Sequence, residues 1–212
     1  MKFLFTREKL SVQVHPEDEY ARRHHGTSGK TEMWHVVSAK PGAEIAAGFR
    51  ETLTKEQVRE ATLSGDVERL LAWHPAAAGD TFFIPAGTVH AIGAGLTICE
   101  IQQHSDITYR LYDYGRGREL HLDQALAVSR LGPHAARSPL PISCPYFVAE
   151  KVEVNGSASL PAVANWSLAI VTEGSGTLNG QPTQAGDVWL VGSQVIEIAD
   201  KLQVIRAHMP LR

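Results

Sequence analysis

Cysteine is nearly absent from this chain. Two among 212 residues, Cys99 and Cys144, are too few for a disulfide framework. Cys99, in LTICEI, therefore reads as a small core residue. No apolar run approaches the length needed to cross a bilayer. The opening MKFLFTREKL is too short in apolar residues for a secretory h-region and lacks a small-residue cleavage site. Neither sign of charge dominates: 20 basic residues face 23 acidic ones, so there is no footprint for nucleic acid or an acidic membrane surface. A cytoplasmic protein without nucleic-acid or membrane partners is the expectation. Hydrophobic residues make up 43%, enough to bury a core, and the length fits one large domain or two small ones.

Glycine, proline and aspartate turns divide most of the chain into short strands, the pattern of a sandwich or barrel. LSVQVH alternates and stops at Pro16; TEMWHVV, GDTFFIP, LTICEIQ and ITYRLYDY follow. Helical spacing is expected over 54–72, after a Thr54 cap, and again over 119–131, ending before Gly132-Pro133. Past the Pro-rich segment 138–145 a second strand series begins. Its AGDVWLV has the shape of the earlier AAGDTFFIP, which suggests an internal duplication. The first copy continues into PAGTVH; the second reads VGSQVIEI, with no histidine. Only the first copy can hold a metal. The expected fold is mainly β, two cupin-like barrels (jelly rolls) in tandem. Residues 1–118 would form the metal-bearing barrel with the helical excursion at 54–72, 119–137 a linking helix, and 138–212 a second barrel without metal ligands.

Alternate residues of a strand share a face. Ser11, Gln13 and His15 therefore oppose Val12 and Val14; Lys30, Glu32 and Trp34 lie together, as do Glu100 with Gln102, and Asp106 with Thr108 and Arg110. Polar faces inside apolar strands cost free energy unless each group has a partner. Taken singly, each residue has an ordinary reading: a satisfied strand histidine, an edge glutamate, a solvated lysine. A Q-x-H pair, a glutamate in an apolar strand and a histidine after a glycine turn together form a nitrogen–oxygen donor set. Gln13, His15, Glu32 and His90 would suit a Zn²⁺-like cation. His35 faces away from Glu32 by parity and is left out.

LSVQVHPEDEYA, GKTEMWHVV, IPAGTVHAIGAG and EIQQHSDITYRLYDYGR resemble, in order, the motifs of type I mannose-6-phosphate isomerases, the zinc-dependent cupin branch. Similarity extends more weakly through the second strand series. The resemblance implies one Zn²⁺ per chain on Gln13, His15, Glu32 and His90. It also implies that Lys30, Glu100, Asp106 and Arg110 line the substrate site. The implied reaction interconverts mannose 6-phosphate and fructose 6-phosphate by proton transfer through a cis-enediol. Glu100 and Lys30 are both candidate acid/base groups, Asp106 could assist ring opening, and Arg110 suits phosphate or enediolate charge. Ser11 could add a phosphate hydrogen bond. The family usually has a longer stretch before LSVQVHP; here the first barrel is expected to lack its opening strands, and a homodimer would cover the exposed edge. The competing reading is a metal-binding cupin that binds a sugar phosphate with little or no catalysis. An iron oxygenase fits less well, since glutamine and glutamate accompany only two histidines.

Overall fold

The computed structural model describes residues 1–135 and 137–210; Ala136, Leu211 and Arg212, the last two closing the expected second barrel, lie outside the described residues. Two compact units emerge, Met1–Ser138 and Pro139–Arg212, both built mainly from strands.

The first unit runs β1 (Lys2–Phe5), β2 (Val12–Val14), α1 (Asp18–His25), β3 (Glu32–Ala39), β4 (Glu44–Phe49), α2 (Lys55–Ser64), α3 (Val67–Leu70), β5 (Leu71–Pro75), β6 (Thr81–Ile84), β7 (His90–Ile92), β8 (Leu96–Gln102), β9 (Tyr109–Tyr112) and α4 (Leu122–Val128). One sheet has the order β1-β8-β3-β6, the other β5-β4-β7-β2-β9. Trp34, Val36, Ile45, Phe82, Ile92 and Ile98, contributed by both sheets, form one apolar cluster. The other face of the five-stranded sheet, with Val12, Val14, Tyr109 and Leu111, packs against the helices through Val58, Ala125 and Leu126. β2 thus turns Val12 and Val14 towards the helices and Gln13 to the other face, as the alternation requires. Cys99 is fully buried and its thiol is pushed up to about 12 by that burial.

Local chemistry shortens both expected helices. The stretch over 54–72 is two helices, because Gly65 takes φ +85° and its N–H closes on the carbonyls of Ala61 and Thr62. Thr54 begins α2 with a full capping box, its partner being Gln57. The helix expected over 119–131 is limited to Leu122–Val128; the residues after it are drawn into extended pairing, with Arg130 N donating to Gly87 O and Leu131 O accepting from Leu53 N.

The second unit contains β10 (Ile142–Ser143), β11 (Val148–Leu160), β12 (Ser167–Leu178), β13 (Gln181–Gln184), β14 (Val188–Val191) and β15 (Ile196–His208). They pair in the order β10-β11-β15-β12-β13, with β14 on β12. The G-D turn that the two strand series share is closed by the same bonds in both units. Gly79 and Gly186 both have positive φ (+89° and +99°). Asp80 Oδ2 accepts from Ala77 N at 3.0 Å, and Asp187 Oδ2 from Gln184 N at 2.9 Å. Val36 exchanges backbone bonds with Gly79 and Asp80; Val171 does the same with Gly186 and Asp187. Both β3 and β12 then bulge one residue later, between Val36 and Ser38 and between Val171 and Glu173.

Candidate metal centre and active site

Strand register brings distant sequence positions into one polar patch between the sheets of the first unit. In the five-stranded sheet Gln13 stands opposite His90 on one side and Arg110 on the other. In the four-stranded sheet Glu32 pairs with Gln102, and Trp34 with Glu100. Directly opposed residues share a face, so Gln13, His90 and Arg110 lie together on one sheet, and Glu32 with Gln102 and Lys2 with Glu100 on the other. His15 follows β2 immediately. Lys30 precedes β3 and is brought beside His15 because its N–H donates to Pro16 O at 3.1 Å. Gly29 permits that approach: a Cβ there would meet Pro16 O at 2.6 Å.

Among the described residues, His15, Glu32 and His90 form the one group of histidine, cysteine and acidic side chains placed to share a metal ion, with ligand atoms within 4.8 Å of one another. Their exposures are 1%, 0% and 1%. His15 Nε2 lies 3.6 Å from Glu32 Oε2, and His90 Nε2 lies 3.5 Å from Glu32 Oε1. Each imidazole is held from behind. His15 Nδ1 donates to Ile107 O at 2.7 Å, and His90 Nδ1 to Thr88 O at 2.9 Å. That commits the ring proton to Nδ1 and turns the Nε2 lone pair inward, the arrangement common to metal-ligating histidines. Gln13 Nε2 is 3.3 Å from His90 Nε2, and Gln13 Oε1 accepts from the Ser11 hydroxyl at 3.2 Å. An amide can present either end to the cluster.

Neither Glu32 oxygen receives a well-formed hydrogen bond, although Lys30 Nζ lies 2.7 Å from Oε2. Two inward lone pairs and an under-bonded carboxylate, all dry, are electrostatically complementary to a cation. The residues therefore fit a bound metal ion. Burial works against charge on Glu32, but His15, Lys30 and His90 together outweigh it and hold its carboxyl far below the usual range. Burial lowers His90 to about 3, keeping its imidazole neutral and its lone pair available.

A second layer lies beside this cluster. Lys30 Nζ is 3.2 Å from His15 Nε2 and 3.9 Å from Glu100 Oε1. Glu100 is 4% exposed, with Oε1 lacking a hydrogen bond. Burial and the neighbouring Glu32 charge push its carboxyl above the usual range, against the pull of Lys30 and Lys2. A buried acid with a raised pKa between two ammonium groups has the character of a general acid/base.

No family model matches the sequence. Mannose-6-phosphate isomerase of Streptococcus mutans is 41% identical over 194 residues, covering 84% of this chain and 61% of that protein. Mannose-6-phosphate isomerase ManA of Bacillus subtilis is 39% identical over 213 aligned positions, covering 90% and 67%. The crystal structure of the mannose 6-phosphate isomerase from Bacillus subtilis matches with a TM-score of 0.87 at 31% identity, over 98% of this chain and 74% of that one. The chain belongs to the mannose-6-phosphate isomerase family. It spans about three fifths of the length of the Streptococcus mutans relative.

Of the residues singled out from sequence, His15, Glu32, His90, Gln13, Lys30 and Glu100 converge in this member of the mannose-6-phosphate isomerase family. Arg110 shares their row, with Nη1 donating to Glu119 O at 2.9 Å and Nε buried without a partner. Ser11 is 3% exposed and its hydroxyl is engaged by Gln13. Asp106 does not join them: its side chain is 98% exposed, with Oδ1 3.8 Å from Lys2 Nζ. Residues 103–108 form a loop before β9, so strand parity does not carry back to Asp106. Sequence reasoning passed over Lys2, which pairs with Glu100 in the β1–β8 register and sets Nζ 2.9 Å from Gln102 Oε1 and 3.7 Å from Glu100 Oε1. A lysine in the otherwise apolar KFLF was the available signal. His35, excluded by parity, has Nδ1 3.1 Å from Thr81 Oγ1.

Proposed function

We propose that this chain is a mannose-6-phosphate isomerase that interconverts mannose 6-phosphate and fructose 6-phosphate, with one Zn²⁺ on Gln13, His15, Glu32 and His90. The observation that carries the reading is the buried His15–Glu32–His90 cluster beside the buried Glu100, in a chain of this family. The bound cation would polarise the sugar carbonyl and the neighbouring hydroxyl. Glu100 is assigned the proton transfer between C1 and C2; its raised pKa makes it a stronger base than an ordinary carboxylate. Lys30, 3.9 Å away, stabilises the carboxylate form and faces the developing enediolate charge. Arg110 holds the anionic end of the substrate through a guanidinium whose Nε is otherwise unspent. The earlier ring-opening proton transfer is assigned to Asp106, whose exposed carboxylate is linked through Lys2 Nζ to Glu100.

The setting that fits is cytoplasmic, with a free phosphorylated hexose as substrate; no helix among the described residues is long and apolar enough to cross a membrane. The homodimer expected from sequence would use the outer edge of β1, where Phe5 is 73% exposed. Light scattering at micromolar concentration should then give twice the 23.1 kDa chain mass, and a monomer would reject it.

The deciding experiment measures metal content and mannose 6-phosphate turnover, with and without a chelator. Turnover lost on chelation and restored by Zn²⁺ is the expected result. A protein loaded with Zn²⁺ that binds the sugar phosphate without turnover would instead establish the binding-only reading.

A further inference from the structure

The turn that follows β9 is folded around one buried carboxylate. Asp113 is 3% exposed. Arg116 Nη2 donates to its Oδ1 at 2.7 Å, Arg118 Nε donates to Oδ2 at 2.7 Å, and Arg118 Nη2 also reaches Oδ1. The Asp113 backbone carbonyl accepts twice from Arg116, from N at 3.1 Å and from Nε at 3.2 Å. Tyr114, Gly115 and Gly117 all have positive φ, so the chain reverses tightly about this centre. Arg116 Nη1 donates to Lys9 O at 2.7 Å, which ties the turn to the segment ahead of β2.

The chain then returns alongside β9 at one residue. His121 N donates to Arg110 O at 2.8 Å, and Arg110 N to His121 Nδ1 at 3.3 Å. Glu119 O accepts a hydrogen bond from Arg110 Nη1 at 2.9 Å. That carbonyl is the hydrogen-bond acceptor found for the Arg110 guanidinium among the described residues. It lies in no helix or strand; the His121 pairing holds it from one side and the 114–118 turn pins it from the other. The pin is Asp113, one negative charge shared by two guanidinium groups with bidentate geometry on Arg118. The Arg118 hydrogen bond keeps the Asp113 carboxyl below its usual range, so the pin stays charged at neutral pH.

We propose that Asp113 is a positioning residue for the reaction: through Arg116 and Arg118 it fixes the 114–119 turn, and through the Glu119 carbonyl it aims Arg110 at the substrate's anionic group. The inference rests on the anion-binding role given to Arg110 above. Misplacing a substrate-holding group by about an ångström can cost up to roughly 100-fold in rate.

The test is a double-mutant cycle on the zinc-loaded protein, reading kcat/KM for mannose 6-phosphate and the calorimetric affinity for the same compound. Asp113→Asn should lower kcat/KM by roughly 10- to 100-fold with metal content unchanged. In an Arg110→Gln background the same substitution should cost less than about 3-fold, because the residue it aims is gone. A merely structural Asp113 would give the same loss in both backgrounds and would overturn the proposal. Arg118→Gln, at a half-exposed side chain, loosens the same turn with less risk to folding and should show the same coupling at smaller size. An inactive wild type whose sugar-phosphate affinity nonetheless falls with Asp113→Asn, and not further in the double variant, would defeat the isomerase reading while keeping this one. An active wild type with an additive cycle would do the reverse.

Discussion

Glu32→Gln should yield a protein that no longer retains zinc. Glu32 is the only formal negative charge in the donor set, and it is fully buried. Replacing it with a neutral isostere removes the charge that offsets a divalent ion in a dry site, a larger loss than the roughly 10- to 100-fold affinity change caused by altering an outer-shell partner. Turnover should fall with the metal. Lys30, 2.7 Å from Oε2, loses its nearest counter-charge and keeps only Glu100 at 3.9 Å; breaking a buried pair costs about 3–5 kcal/mol. Circular dichroism and the urea midpoint therefore accompany the metal assay, and adding Lys30→Met removes the stranded ammonium. Atomic emission after gel filtration gives the decisive number. One zinc per folded variant chain would show that the donor set is misassigned.

Glu100→Gln should have the opposite signature: zinc retained, chemistry lost. General acid/base groups contribute about 10²- to 10⁴-fold, so kcat should fall within that range. The pH profile supplies an independent check. A base acts in its ionised form, so activity declines as pH falls through its pKa. Burial and the Glu32 charge raise the pKa of Glu100; the acid limb of the wild-type profile should thus lie above the ordinary carboxylate range. That limb should vanish from the residual activity of Glu100→Gln. If it persists at the same pH, the proton is carried by another group, and Lys30 becomes the next residue to test.

Strand periodicity made much of this arrangement readable in advance. Q-x-H gave the inward face of β2, and the spacing of Lys30, Glu32 and Trp34 gave that of β3, because alternation is local and each strand has one apolar side. The helix boundaries at Gly65 and after Val128 were less legible, since they depend on a left-handed residue and on pairing with distant loops. Register was not legible at all. Gln13 meets His90 across 77 positions, and only the folded sheet sets that match. The carbonyls of Ile107 and Thr88, which fix the two imidazole tautomers, carry no side-chain signature. Lys2 was hidden for a related reason: its importance comes from lying opposite Glu100, not from its own surroundings in the chain.

The repeated turn offers a control that nature has already run. Around Asp187 the second unit reproduces the glycine, the aspartate cap, the backbone exchange and the bulge found around Asp80, yet follows them with VGSQVIEI rather than a histidine. The motif therefore closes in a sequence that lacks the histidine. In small zinc modules the ion does the folding; here the shared turn forms whether or not a histidine follows it, and a cation on His15, Glu32 and His90 would be a tenant of that scaffold. The ligand positions are then free to be exchanged, emptied or refitted with other donors while the scaffold stands, which makes the first unit a practical frame for grafting a different metal chemistry.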